Sequence, residues 1–161
     1  MQLQSFDPSL AATVSSWAPS AEEVRSWCAR SEAPVPPEVV AGWGEADDVE
    51  AYLLVDDGTP AAYGELWLDE EEGEVELARL LVDPAGRGRG LGRRLTRLLA
   101  ERAREAHPAL ATVCLRVLPD NVAGHRAYLA AGFAFVDAET EQAWNAGQPT
   151  AYRWMVLSAD A

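Results

Sequence analysis

The chain of 161 residues contains no lysine: all thirteen basic residues are arginine, against 26 acidic ones, giving a formal charge of −13. So acidic a protein would repel a phosphodiester backbone, which excludes broad electrostatic binding to nucleic acid. Cysteine is scarce. Cys28 and Cys114 stand far apart without metal-type spacing, so neither a disulfide framework nor a zinc site is expected, and both are read as reduced and buried. No apolar run approaches the roughly 18 residues of a membrane span. The N-terminus lacks the basic-then-apolar order of a secretion signal. A cytoplasmic protein with no membrane partner and no metal is therefore expected. The length suits one domain over residues 1–161.

What basic charge there is lies unevenly. Seven of the thirteen arginines fall between Arg87 and Arg104, which suggests that the chain meets an anion there; Arg97, Arg102 and Arg104 are read as solvating a helix face. Residues 2–6 alternate weakly, as a first strand would. Ser20 can cap a helix running to Arg30, with Glu23 at the capping-box position and Val24, Trp27 and Cys28 on one face. The tract 33–37 is a loop, and Pro37 to Trp43 a further short helix. Three β-type runs, Val49 to Val55, Ala61 to Leu68 and Glu74 to Val82, are joined by short turns, as in an antiparallel meander. After Asp83-Pro84 the period becomes helical, with Leu91, Leu95, Leu98, Leu99 and Ala103 on one face. A strand (111–117), a helix (about 121–131, stopped at Gly132) and strands 133–136 and 151–157 follow. This order predicts an α/β (α+β) domain: a mixed, mostly antiparallel sheet of about six or seven strands flanked by helices.

The most informative stretch is Leu81-Val82-Asp83-Pro84-Ala85-Gly86-Arg87-Gly88-Arg89-Gly90-Leu91-Gly92-Arg93. A strand ends, a glycine-rich loop turns and a helix begins, so free backbone N–H groups and the positive end of a helix dipole converge on one spot. Nucleotide hydrolysis is disfavoured, because a Walker loop needs Lys and Ser/Thr where Arg93 and Arg94 stand. A dinucleotide fingerprint is disfavoured too: the spacing here is G-x-G-x-G and the strands before it form a meander. A glycine loop with only a structural role leaves the surrounding arginines unexplained.

Arg87-x-x-Gly90-x-Gly92 resembles the pyrophosphate-binding signature of GNAT acetyltransferases. Leu115-Arg116-Val117, Pro119-Asp120-Asn121, Tyr128 and Gly132-Phe133 resemble that family's second block at the same offsets. The resemblance covers residues 49–136, the acetyl-CoA-binding core, and is loose over 1–48, a variable acceptor-side region. It implies the single-domain GNAT acyl-CoA N-acyltransferase fold. It also implies acetyl transfer from acetyl-CoA to a primary amine of a small molecule or a protein N-terminus, by direct attack in a ternary complex. Homodimers are common in that family.

By that resemblance, main-chain groups of Leu81 and Val82 polarise the thioester and receive the pantetheine arm. The loop Arg87, Gly88, Arg89, Gly90, Leu91, Gly92 and Arg93 holds the coenzyme, and Asn121 and Gly124 lie beside it. Asn121 can also cap its helix. Tyr128 is the proton donor to the leaving sulfur and a further coenzyme contact; Glu76 is the general base, with a water chain as the other route. Either side chain also has a plain structural use, as core aromatic or solvated carboxylate. Arg79 is placed on the opposite strand face from Glu76 and given no role. His125 is read as exposed. The acid-rich run Glu65, Asp69 to Glu72, Glu74 and Glu76 hints at a cationic acceptor. Trp17, Trp27, Trp43 and Trp67 serve either the core or an aromatic pocket. A non-catalytic acyl-CoA-binding module of the same fold is the alternative to an enzyme.

Overall fold

The computed structural model describes residues 1–158. Seven strands form one sheet in the order β1-β2-β3-β4-β5-β7-β6. They are β1 (Gln2–Ser5), β2 (Val49–Asp56), β3 (Thr59–Asp69), β4 (Glu74–Val82), β5 (Thr112–Val117), β6 (Phe133–Phe135) and β7 (Arg153–Leu157). Neighbours are antiparallel except β4 and β5. The antiparallel pairs β2–β3 and β3–β4 follow from their short turns; the parallel pair needs the crossover helix α4 (Leu91–Ala106).

That helix buries Leu91, Leu95, Leu99 and Ala103. Against them the sheet contributes Leu54, Leu66, Leu77 and Leu115 to one core cluster. Each large aliphatic side chain so removed from water contributes about 1.5–3 kcal/mol. On the other face α1 (Ala11–Ser16), α2 (Ala21–Cys28) and α3 (Pro37–Gly42) surround a second core. It contains Val14, Trp17, Val24, Trp27, Val35, Val40 and Tyr63. The capping box expected at α2 is present, with Ser20 and Glu23 each accepting from the other's backbone N–H. The last two helices are α5 (Val122–Ala130) and α6 (Ala138–Asn145). Among the described residues no helix is long and apolar enough to cross a membrane.

One irregularity positions the site. Between β3 and β4 the register passes from Tyr63↔Leu81 to Glu65↔Ala78, so β4 carries an extra residue. This is a β-bulge, with Arg79 at φ 47°. A bulge bends its strand, and β4 leaves β5: their pairing ends at Glu76↔Cys114. Beyond that point β4 stays with β3 and β5 with β7.

Candidate active site

Where β4 and β5 part lies a cleft of about 290 Å³. Its walls come from β4 (Glu76 to Leu80), β5 and the turn after it (Arg116, Val117, Leu118), α2 (Arg25 to Cys28), α5 with its cap (Asn121, Tyr128) and the approach to β7 (Gln148, Pro149, Tyr152). A shallower hollow of about 510 Å³ adjoins it and shares Arg25, Ala29, Leu118, Pro149 and Tyr152.

Glu76 lines this cleft, with Oε1 2.8 Å from Arg116 Nε. Burial pushes its carboxyl up to about 7, although the Arg116 guanidinium pulls the other way. A carboxyl poised there exchanges a proton near neutrality, the condition for a general base. Tyr128, half-buried on α5, faces the same cleft. Burial pushes its phenol up to about 12, so it keeps its proton. The cleft therefore brings a proton acceptor and a proton donor together.

Arg79 corrects the expectation from strand alternation. The bulge shifts the phase of β4, and Arg79 lines the same cleft as Glu76. Its Nη1 lies 3.0 Å from Glu65 Oε2, and its guanidinium stacks over Trp43 and Trp67, 4.1 and 4.9 Å from the ring centroids. Glu65, fully buried, also accepts from the Tyr63 hydroxyl at 2.5 Å and from Trp67 Nε1 at 2.6 Å. It is thus a structural anion rather than a charge offered to an acceptor. Asp69 to Glu72 end β3 and form the turn before β4, away from the cleft walls. Of the acid-rich run only Glu76 reaches the cleft. Trp27 and Trp67 line the cleft, Trp17 belongs to the core, and Trp27 Nε1 donates to the Arg79 carbonyl at 2.8 Å.

At the far end of β4, Leu81 and Val82 lead into the glycine loop. Leu81 is buried and paired with Tyr63, and the Val82 carbonyl accepts from Arg87 Nε at 3.3 Å. Gly88 and Gly90 have φ of 77° and 80°, which suit glycine far better than any other residue. Gly90 is the N-cap of α4, and no side chain caps that helix. The amides of Leu91, Gly92 and Arg93, its first turn, are thereby open to an anion. Leu91 itself points into the core, whereas Arg89 and Arg93 are exposed. Gly92 packs near α5; a Cβ there would sit 3.6 Å from that of Ala127.

One loop expectation changes. The Arg87 side chain does not face the loop's open side: Nη1 meets Glu23 at 2.7 Å and Nη2 donates to the Trp17 carbonyl at 2.8 Å. It pins the loop to the start of α2, and with Ser20 it holds the Glu23 carboxyl below its ordinary range. Gly124 packs against Asn121, whose Oδ1 accepts from the Gly124 N–H at 2.9 Å; a Cβ at 124 would lie 2.8 Å from Asn121 Nδ2, so that side chain would have to shift. His125 is not simply exposed, because its Nε2 lies 3.0 Å from the Leu118 carbonyl and its ring stands edge-on to Phe135. Cys114 is buried as expected but Cys28 only half-buried, and burial raises both thiols. Among the described residues no cluster of His, Cys, Asp and Glu is arranged to hold a metal ion. Sequence reasoning gave no role to Arg25, Arg116, Gln148 and Tyr152, although Arg116, one charge in an apolar strand, was a usable signal.

Residues 15–133 match the model of the acetyltransferase (GNAT) family. Comparison with curated proteins gives no significant match. Among solved structures, the aminoglycoside acetyltransferase AAC(6')-Ib in complex with coenzyme A and kanamycin aligns with a TM-score of 0.72. It is 21% identical over 99% of this chain and 95% of that one. A spermidine N-acetyltransferase from Vibrio cholerae, in complex with CoA and spermine, gives 0.72 at 14% identity over 97% and 94%. A ribosomal-protein-alanine N-acetyltransferase from Brucella melitensis gives 0.71 at 17% over 97% and 98%. At such identities the likeness is one of fold.

Proposed function

This chain belongs to the acetyltransferase (GNAT) family, and from that membership we propose that it transfers an acetyl group from acetyl-CoA to a primary amine seated beside Glu76. The observation that carries the reading is what stands at the two ends of β4. An uncapped helix N-terminus at Gly90 stands at one end of β4, and the parting of β4 from β5, with Glu76 and Tyr128 on its walls, at the other.

The residues present fit the coenzyme. Gly88 and Gly90 are exposed, and a Cβ at either would meet nothing within 4 Å, so the loop is open on its outer side. The first-turn amides and the dipole of α4 suit a diphosphate. Main-chain groups from Leu77 to Val82, left without partners on β5, suit an extended arm. Asn121 lines the cleft and caps α5 by accepting from the Gly124 N–H. When bound, acetyl-CoA supplies a thioester whose C–S bond breaks as a bond to the amine nitrogen forms.

The chain supplies the proton handling and the enclosure. Glu76 accepts a proton from the incoming ammonium, directly or through a water, since its carboxyl is poised near neutrality. Tyr128 holds a phenolic proton inside the cleft as the donor. Arg116 fixes the Glu76 carboxylate, and residues 1–48 close the acceptor side through α2. A cytoplasmic setting suits the two free thiols. The test is a thiol-release assay with acetyl-CoA and a panel of amines: release that needs both substrates is expected. Saturable coenzyme binding without release from any amine would leave a binding module instead.

A further inference from the structure

The charge inside the cleft is opposite to that of the chain. The charged side chains on its walls are Arg25, Arg79, Arg116 and Glu76, in a protein with twice as many acidic as basic residues. Arg79 is neutralised by Glu65, and Arg116 shares its charge with Glu76. Among the described residues Arg25 meets only Asp120, at 3.4 Å, with the two side chains 52% and 70% exposed, a weak surface pair. The adjoining hollow adds Arg30, paired at 4.0 Å with Glu32.

Once Glu76 takes a proton from the acceptor, Arg116 loses its counterion inside the cleft. An acceptor carrying its own carboxylate restores the balance at Arg116 and Arg25, and planar guanidinium matches carboxylate geometry. A second ammonium on the acceptor would instead stand among arginines and compete with Arg25 and Arg30 for Asp120 and Glu32, the carboxylates they already hold. The uncharged walls include aromatic rings: Trp27, Trp67 and Tyr152 line the cleft, and the rings of Trp67 and Tyr152 lie 5.5 and 5.3 Å from the Arg116 guanidinium carbon.

We propose that the acceptor is an amino acid or a close analogue, with a carboxylate beside its primary amine and an apolar or aromatic side chain. This inference rests on the cleft being the amine site of the transferase. The test is calorimetry on the intact protein without coenzyme, comparing L-phenylalanine, its decarboxylated counterpart 2-phenylethylamine, and spermidine. L-Phenylalanine is expected to bind at least about tenfold more tightly than either amine, the scale of one charge-assisted hydrogen bond. In Arg25→Ala the preference for the carboxylate should fall toward one. Equal or tighter binding of 2-phenylethylamine or spermidine would overturn the proposal, as would the absence of binding by all three. Thiol release with the same compounds separates the two levels of inference. If L-phenylalanine binds with the expected preference but releases no thiol, the transferase reading fails while the cleft's preference for a carboxylate stands.

Discussion

Replacing Glu76 by glutamine removes the proton acceptor while keeping the side chain's size. With the carboxyl pushed from 4.5 to about 7 by burial, roughly a tenth of the molecules carry the carboxylate at pH 6 and roughly nine tenths at pH 8. The kcat/KM for the amine should therefore rise about tenfold between those pH values, on a limb centred near 7, and Glu76→Gln should lose both the limb and about 10²–10⁴-fold in rate. The same shift acts on stability. A carboxyl whose folded pKa lies above its unfolded value favours the folded state at low pH, and this contribution is lost as pH rises from about 4.5 through about 7. A shift of that size corresponds to about 3 kcal/mol at most. Urea unfolding should show the parent losing stability relative to Glu76→Gln between pH 4 and pH 8. Because the variant also leaves Arg116 without its anion, circular dichroism must first show it folded. A flat pH profile in the parent, or a variant that keeps its rate, would refute the assignment of Glu76.

Tyr128→Phe should keep acetyl-CoA affinity within a few-fold and lose most of kcat, read by calorimetry and thiol release on one preparation; unchanged kcat would remove Tyr128 from the reaction. Gly90→Ala puts a Cβ at φ 80°, which costs about 1–2 kcal/mol and disturbs the loop, so both the melting temperature and coenzyme affinity should fall. Arg79→Ala leaves Glu65 buried without its cation, and urea unfolding should show a loss of about 3–5 kcal/mol. Arg116→Gln should move the Glu76 limb to higher pH, since the guanidinium is what lowers that carboxyl.

Much of the fold was legible because its signals are local. The turns at Asp57-Gly58 and Gly73, the Ser20 capping box and the apolar stripe of α4 each specify their element within a few residues. Two short helices escaped. α1 has six residues and too little periodicity to register, whereas α6 carried a readable start, with Asp137 accepting from Thr140 N and Glu139 and Glu141 in its first turn. The larger miss was the bulge at Arg79. No glycine marks it; what holds a non-glycine residue at positive φ is a buried carboxylate fourteen positions away and two tryptophan faces, all tertiary contacts. Arg87 escaped for the same reason, since its partner Glu23 lies 64 positions earlier. The site residues were expected from the resemblance of two motif blocks to the family, whereas which charges share the cleft depends on the parting of β4 from β5.

Titration calorimetry of acetyl-CoA against the parent, Gly90→Ala and Tyr128→Phe tests the central claim most directly. One saturable site is expected, weakened in Gly90→Ala and retained in Tyr128→Phe. No heat with the parent, or equal affinity for all three proteins, would contradict a coenzyme held by the first-turn amides of α4.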